Sequence, residues 1–246
     1  IMPYRRLPNT DNARLRALKV AAKKGKELPP FKLAFSQSTY ARIGLFINNF
    51  EKAMAHYKAA YNNQVERNKE YQAVYKKARL YLSHFIQVLN MAIVRGELPD
   101  KVRETYGMDI DERKLPDITL DKDLMEWGKK IIAGETERIS KGHPPITNPT
   151  IAVVKVRFEN FVDMYNRQRI LRQNTLRAQG ELENLRKTAD DIILNTWNEV
   201  EETFKDLPDD ERRERAKEYG LVYIYRKNEI KGLQLLEREL AEFIPK

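Results

Sequence analysis

A long seam of apolar and aromatic side chains runs through the first half of the chain at alternating spacings of three and four residues. No proline interrupts residues 39–95, and Gly44 is the only glycine in that stretch. The seam comprises Ile47, Phe50, Met54, Tyr57, Tyr61, Gln64, Asn68, Tyr71, Tyr75, Ala78, Leu82, Phe85, Leu89 and Ala92. This periodicity predicts one helix of roughly 80 Å that packs against a partner helix.

The second half of the chain repeats the plan of the first. A shift of 111 residues superposes Phe50 on Phe161 near the start of each apolar stretch. Each stretch is then followed by a Leu-Pro-Asp sequence and a Tyr-Gly sequence, in "LPDKVRETYG" (98–107) and "LPDDERRERAKEYG" (207–220). Self-similarity at a fixed period predicts a duplicated structural unit.

The repeated motif has a local structural interpretation. A proline in the first helical turn costs no hydrogen bond, and the adjacent Asp100 and Asp209 favour the positive end of the helix dipole. Gly107 and Gly220 suit a left-handed C-terminal cap. The motif therefore predicts a short helix that turns the chain after each long one, rather than a catalytic sequence.

Both long helices lose apolar character at their midpoints, near Asn62 and Gly180. Two arrangements fit this pattern. Either the helices are continuous and pair antiparallel, or each folds back to give a compact bundle of about four shorter helices. The heptad spacing continues across residues 61–71 with no proline, which favours continuous helices.

The remaining segments predict connections and packing pieces. Asn9 or Thr10 caps a short N-terminal helix, and Asn148 with Pro149 supplies the cap and first-turn proline of the second long helix. The run "LVYIYR" (221–226) predicts a short strand or a buried extended segment. The predicted fold is therefore all-α, with two repeated long-helix units packed as an antiparallel, coiled-coil-like bundle. The predicted divisions are a basic N-terminal arm with a short helix (1–35), repeat 1 (36–120), a crossover helix and loop (121–147), repeat 2 (148–226) and a C-terminal docking helix (227–246).

Charge adds one functional candidate. The net charge of +9 is concentrated in residues 1–32, which hold nine Lys or Arg against Asp11 and Glu27. Such a segment can bind phosphate backbones through non-specific ionic contacts, or it can be a solvated helix packed on the body. The candidate polyanion-binding residues are Arg5, Arg6, Arg14, Arg16, Lys19, Lys23, Lys24 and Lys26.

Catalytic and metal-binding patterns do not emerge from the sequence. The chain has no cysteine, and His56, His84 and His143 lack the spacing of a helical zinc site. We therefore predict no enzyme, no metal and no cofactor. The tyrosines of the seam are typical of helix packing, although stacking platforms for single-stranded nucleic acid use the same residue type.

No apolar run approaches the roughly 18 to 20 residues of a membrane span, and the first twenty residues lack the apolar stretch of a signal peptide. These features predict a cytoplasmic protein that does not enter a membrane. The strings "PYRRLPNTDNARLRALK", "HFIQVLNMAIVRGELPDKVRETYG" and "EYGLVYIYR" resemble an uncharacterised family of conserved hypothetical proteins from Bacteroidetes. That resemblance implies a cytoplasmic bacterial helical protein and no particular activity.

The sequence thus predicts a non-enzymatic binding or scaffold module. Its partner would be another protein or a second copy of the chain, bound through long amphipathic helices. The alternative is nucleic-acid binding through the basic arm.

Overall fold

The computed structural model of the chain describes residues 4–111 and 114–224, and this part is all-α apart from one pair of very short strands. The helices are α1 (Asp11–Glu27), α2 (Gln37–Val94), α3 (Val102–Thr105), α4 (Asp121–Ser140), α5 (Ile151–Thr203) and α6 (Asp209–Lys217), with a 3₁₀ turn at Pro30–Lys32. The strands β1 (Tyr4–Arg5) and β2 (Tyr223–Ile224) pair antiparallel. The all-α prediction is confirmed, and the predicted C-terminal docking helix lies outside the described residues.

The helices α2 and α5 are the two long helices that the repeated seam predicts. Both are unbroken at Asn62 and Gly180, so the alternative with turns at the midpoints is wrong. The seam itself is interrupted, because no side chain between residues 61 and 70 is buried. Tyr61 is 50 % exposed, and Asn68 is also exposed.

The described residues form two compact units that do not follow the order of the sequence. Unit 1 comprises residues 4–59 and 176–224, and unit 2 comprises residues 60–175 apart from 112–113. Unit 1 therefore contains α1, the first part of α2, the last part of α5, and α6, with the strand pair. Unit 2 contains α4, the first part of α5, the last part of α2, and α3. Each unit thus combines the start of one repeat with the end of the other.

In unit 1, α2 and α5 pack antiparallel. The hydroxyl of Thr39 donates to Glu199 over 2.5 Å, and further along α2 the Nδ1 atom of His56 lies 3.8 Å from Glu181. The helix α1 covers this pair, because its small and apolar face is buried against it. The core includes Ala17, Leu18, Ala21, Ile43, Phe50, Leu182, Ile193, Trp197, Val200, Tyr219 and Leu221.

In unit 2, the other halves of the same helices also pack antiparallel. The ring of Phe161 lies 6.3 Å from Tyr71 and 6.0 Å from Tyr75, and the guanidinium of Arg157 lies 5.4 Å from the ring centre of Tyr81. The core includes Ala78, Leu82, Phe85, Leu89, Tyr106, Leu124, Ile131, Val154, Phe158 and Phe161. Packing of the seam tyrosines is confirmed for Tyr71 and Tyr75, which join this core.

The predicted caps can be checked one by one. Thr10 caps α1, because its hydroxyl accepts a hydrogen bond from the N–H of Ala13 over 3.2 Å. Gly107 and Gly220 adopt φ angles of 68° and 91°, which confirms the left-handed ends of both repeats. The cap predicted for the second long helix is wrong. Asn148 has a φ angle of 58° and lies in a turn before α5, which begins only at Ile151.

Candidate anion-binding cleft

The basic N-terminal segment is built into unit 1. Arg5 lies in β1, where it pairs with β2, and the N–H of Arg6 donates to the carbonyl of Val222 over 2.8 Å. The helix α1 follows at once, with its buried face on α2 and α5. The run 221–226, for which the sequence predicts a short strand or a buried extended segment, contains the strand β2. Its pairing with the start of the arm is a long-range contact that periodicity does not show.

Many of the predicted polyanion-binding cations already have carboxylate partners in unit 1. Residues 181–218 hold thirteen Asp or Glu against seven Lys or Arg, so the arm packs on an acidic part of the chain. Arg14 makes two hydrogen bonds to Asp190, of 2.7 and 3.1 Å. The other pairs join Arg5 to Glu201 (2.9 Å), Lys19 to Glu51 (2.5 Å), Lys23 to Glu27 (3.6 Å) and Lys24 to Glu218 (2.8 Å).

Hydrogen bonds in this part of unit 1 also shift the pKa values of the groups that they join. The hydrogen bond that Lys24 donates to Glu218 raises the pKa of Lys24, and the same contact lowers the pKa of Glu218. Burial raises the pKa of the Tyr223 hydroxyl, which donates to Glu201 over 2.7 Å, and that hydrogen bond raises it further. Glu201 therefore accepts from both Arg5 and Tyr223, and it ties the strand pair to α5.

Arg6 and Arg16 differ from these cations. Both side chains are exposed, and neither has a carboxylate partner among the residues that the structure describes. Both line a cleft of about 330 Å³. Lys26 is also exposed and unpaired in the described part of the chain, but it does not line this cleft.

The body of the cleft is apolar. Its lining includes the apolar side chains of Leu7, Pro8, Val20 and Val222 together with the buried Trp197. No Asp or Glu is found among the described residues that line the cleft. Two arginines beside an apolar surface, with no counter-charge in the described lining, form a site that suits an anionic group attached to an apolar group.

The duplicated structure places a second cavity at the equivalent position of unit 2. Residues 114–117, Lys-Leu-Pro-Asp, correspond to residues 6–9, Arg-Leu-Pro-Asn, and both stretches line their cavities. The correspondence extends to the helices that follow, because Lys130 lies against Gly107 as Val20 lies against Gly220. The repeat is therefore longer than the sequence indicates, since it pairs α1 with α4.

The two cavities carry different charges. The cavity of unit 2 has a volume of about 420 Å³. Its lining includes Asp109, Asp117 and Asp123 together with Lys114 and Arg103, and Arg103 is itself buried. Three carboxylates thus line this cavity, whereas the described lining of the unit 1 cleft contains none.

A second feature absent from the sequence analysis is a buried polar cluster in unit 2. Glu135 is 0 % exposed and accepts two hydrogen bonds from Arg138, of 2.8 and 3.1 Å. It also accepts from the Tyr106 hydroxyl and, over 2.8 Å, from the N–H of Ile146. Burial alone would raise the pKa of Glu135, but the hydrogen bonds from Arg138, Tyr106 and Ile146 hold it below its ordinary value. The cluster joins α4 to the end of α3 and to the loop before α5.

The histidines do not form a site. His84 and His143 are exposed, and His56 lies on the surface of α2 beside Glu181. Within residues 4–111 and 114–224, no three His, Asp or Glu side chains are grouped so that they could hold a metal ion. In the same residues, no helix combines the length and apolar content that crossing a membrane requires.

Comparisons with known protein families, with curated proteins and with solved structures found no match to this chain. The functional interpretation therefore depends on the geometry of the clefts.

Proposed function

We propose that this chain is a non-enzymatic binding module and that the cleft of unit 1 binds an acidic peptide segment of a protein partner. The observation that supports this is the convergence of Arg6 and Arg16 on an apolar cleft without a counter-charge among its described lining residues. Arginine forms paired hydrogen bonds with carboxylates, and the apolar lining would bury a side chain next to the acidic residue.

A peptide fits these observations better than a nucleic acid does. Binding to a phosphate backbone needs a track of several available cations, because each neutralised phosphate contributes to the affinity. In unit 1, Arg5 and Arg14 are paired with carboxylates of α5, and Lys24 is paired with a carboxylate of the turn after α6. A single acidic group with an apolar neighbour uses Arg6, Arg16 and the lining of the cleft together.

The test uses fluorescence polarisation with labelled eight-residue peptides on the full chain. One series carries Asp or Glu beside Leu or Phe, and a matched series has Asn or Gln at the acidic positions. We expect binding of the acidic series only, and a loss of affinity of at least about tenfold in the R6E/R16E variant. An acidic peptide in which Ser replaces the Leu or Phe should also bind more weakly.

The matched control is K23E/K26E, which reverses the same number of charges outside the cleft, on the helix α1 that also carries Arg16. It should bind the acidic peptides almost as well as the unmodified chain. An equal loss in both variants would show a diffuse basic surface and would reject the cleft as the binding site. Tighter binding of a labelled single-stranded oligonucleotide than of any acidic peptide would favour the nucleic-acid alternative.

A further inference from the structure

The loop that lines the cavity of unit 2 has the chemistry that the cleft of unit 1 requires. Residues 114–121 read Lys-Leu-Pro-Asp-Ile-Thr-Leu-Asp, with carboxylates between apolar side chains. Leu115 is 37 % exposed and Leu120 is 59 % exposed, and Asp117 is exposed as well. Exposed leucines beside carboxylates are the combination that the Arg6 and Arg16 cleft would bind.

The loop is also held in a fixed conformation. Ile118 is buried in the core of unit 2, and the hydroxyl of Tyr75 donates to the carbonyl of Thr119. Asp117 accepts a hydrogen bond from the N–H of Thr119 over 2.9 Å, and contacts with Thr119 lower its pKa. A loop that is already ordered loses little conformational entropy when it binds, and its carboxylate stays charged.

Resting on the proposed function of the cleft, we infer that residues 114–123 of one copy, which comprise this loop and the first residues of α4, bind the cleft of unit 1 in another copy. Asp117 and Asp123 would face Arg6 and Arg16, while Leu115 or Leu120 would enter the apolar part of the cleft. Charge complementarity between two equivalent positions of the repeat supports this inference.

The contact would be heterologous, because the surface contributed by one copy differs from the surface contributed by the other. In such a contact each copy still presents one unused surface, so association can continue beyond a pair. The average mass in solution should therefore rise steadily with concentration.

The experiment is a charge-swap series studied by sedimentation velocity on the full chain, from about 1 to about 200 µM. We expect the average mass of the unmodified chain to rise over this range. R6E/R16E and D117K/D123K should each stay monomeric, because each places like charges opposite each other. An equimolar mixture of the two variants, and the chain that carries all four substitutions, should associate again. A structural defect would not be rescued in this way, and failure of both rescues would overturn the inference.

A synthetic peptide of residues 114–123, which includes both Asp117 and Asp123, separates this inference from the function on which it rests. The labelled peptide should bind the full chain and lose at least about tenfold in affinity for R6E/R16E. If other acidic peptides bind the cleft while this peptide does not and the chain stays monomeric at about 200 µM, the partner is wrong and the function stands. If no acidic peptide binds, the proposed function itself fails.

Discussion

Units 1 and 2 are built from equivalent helices, but equivalent residues in the two units have different polar partners. In unit 2 the tyrosine before the terminal glycine of the repeat, Tyr106, donates to the buried Glu135. In unit 1 the equivalent Tyr219 accepts a hydrogen bond from the N–H of Ala34 over 3.3 Å. The positions of the backbone elements are thus shared, while the polar partners of the same tyrosine are not.

The clefts differ in the same way. Leu-Pro stretches line both cavities at the same place, but unit 1 adds arginines and unit 2 adds aspartates. Duplication explains why two cavities exist, since the same turn before the same helix creates each one. Their different charges arise from side chains that packing does not constrain. The binding properties that distinguish the two units therefore depend on the charged side chains that differ between their cavities.

The largest expected effect tests the ion pair of Glu135 and Arg138 in unit 2, which is more deeply buried than any ion pair among the described residues of unit 1. Replacing Glu135 with Ala should destabilise the fold by about 3 to 5 kcal/mol, because Arg138 would remain buried without its partner. Guanidinium denaturation followed by circular dichroism measures this. The control is D190A, which removes the half-exposed partner of Arg14 in unit 1 and should cost only about 1 kcal/mol or less. Equal losses of unfolding free energy in E135A and D190A would show that the buried ion pair contributes no more to stability than the half-exposed one.

Acid should weaken the same cluster. Because the pKa of Glu135 is lower in the folded chain than its ordinary value near 4.3, the carboxylate contributes stability that is fully present above that pH. The contribution is lost as the pH falls toward the folded pKa. The difference in unfolding free energy between the unmodified chain and E135Q should therefore be constant near neutral pH and shrink below about pH 4.3. A difference that grows on acidification would contradict the assigned ion pair.

Much of the fold can be predicted from the sequence because its signals are local. The seam and the absence of proline predict both long helices, and Gly107 and Gly220 predict the ends of the repeats. Antiparallel pairing of two continuous helices already places the start of one repeat beside the end of the other. Periodicity does not predict that α1 and α4 occupy equivalent places in the two units, because these contacts join residues that are far apart in the chain. The pair Glu135 and Arg138 has the three-residue spacing of an ordinary surface ion pair, so the pattern does not reveal its burial.

The candidate site shows the same limit. The sequence identifies the basic arm, but it does not separate Arg6 and Arg16 from the cations that are paired in the structure. That distinction depends on carboxylates more than 170 residues away, such as Asp190 and Glu201. Trp197, which also lines the cleft, is similarly distant from the arm along the chain. The Leu-Pro sequences of residues 7–8 and 115–116 are the one local signal that could have linked the two cavities.

Glycines at close helix contacts should give intermediate effects that differ between the units. A Cβ atom at Gly134 in unit 2 would lie 2.5 Å from the carbonyl oxygen of Thr105, and the backbone there cannot move easily. In unit 1, a Cβ atom at Gly25 would meet the ring of Tyr40, which can rotate. We expect G134A to cost about 2 to 3 kcal/mol and G25A about 1 kcal/mol in denaturant unfolding.

The control for the glycine series is G180A in the middle of α5, where nothing lies within 4 Å of the added methyl group. It should stabilise the chain by about 0.5 to 1 kcal/mol, because alanine is the better helix former. A loss of stability in G180A would mean that the glycine effects do not report packing.

The buried tyrosines give a smaller contrast. Y106F removes a donor to the buried carboxylate of Glu135 and should cost about 1.5 to 3 kcal/mol. Y219F removes an acceptor from a neutral N–H and should cost about 0.5 to 1.5 kcal/mol. Thermal unfolding of both variants beside the unmodified chain measures the difference. A larger loss for Y219F would reverse the proposed difference between the units.

The smallest expected effects concern the starts of the equivalent helices α1 and α4. Thr10 caps α1, because its side chain accepts a hydrogen bond from a backbone N–H of the first turn. Leu120, at the same position of α4, has the extended backbone of a cap residue, but its side chain cannot accept a hydrogen bond. T10A should therefore cost about 1 kcal/mol, and L120S should stabilise the chain by about 0.5 kcal/mol. Leu120 is mostly exposed, so little apolar contact is lost on substitution. The same L120S variant should weaken self-association, because Leu120 is one of the side chains proposed to enter the cleft of a second copy. A gain in stability together with reduced association would separate the role of residue 120 in capping α4 from its role in association.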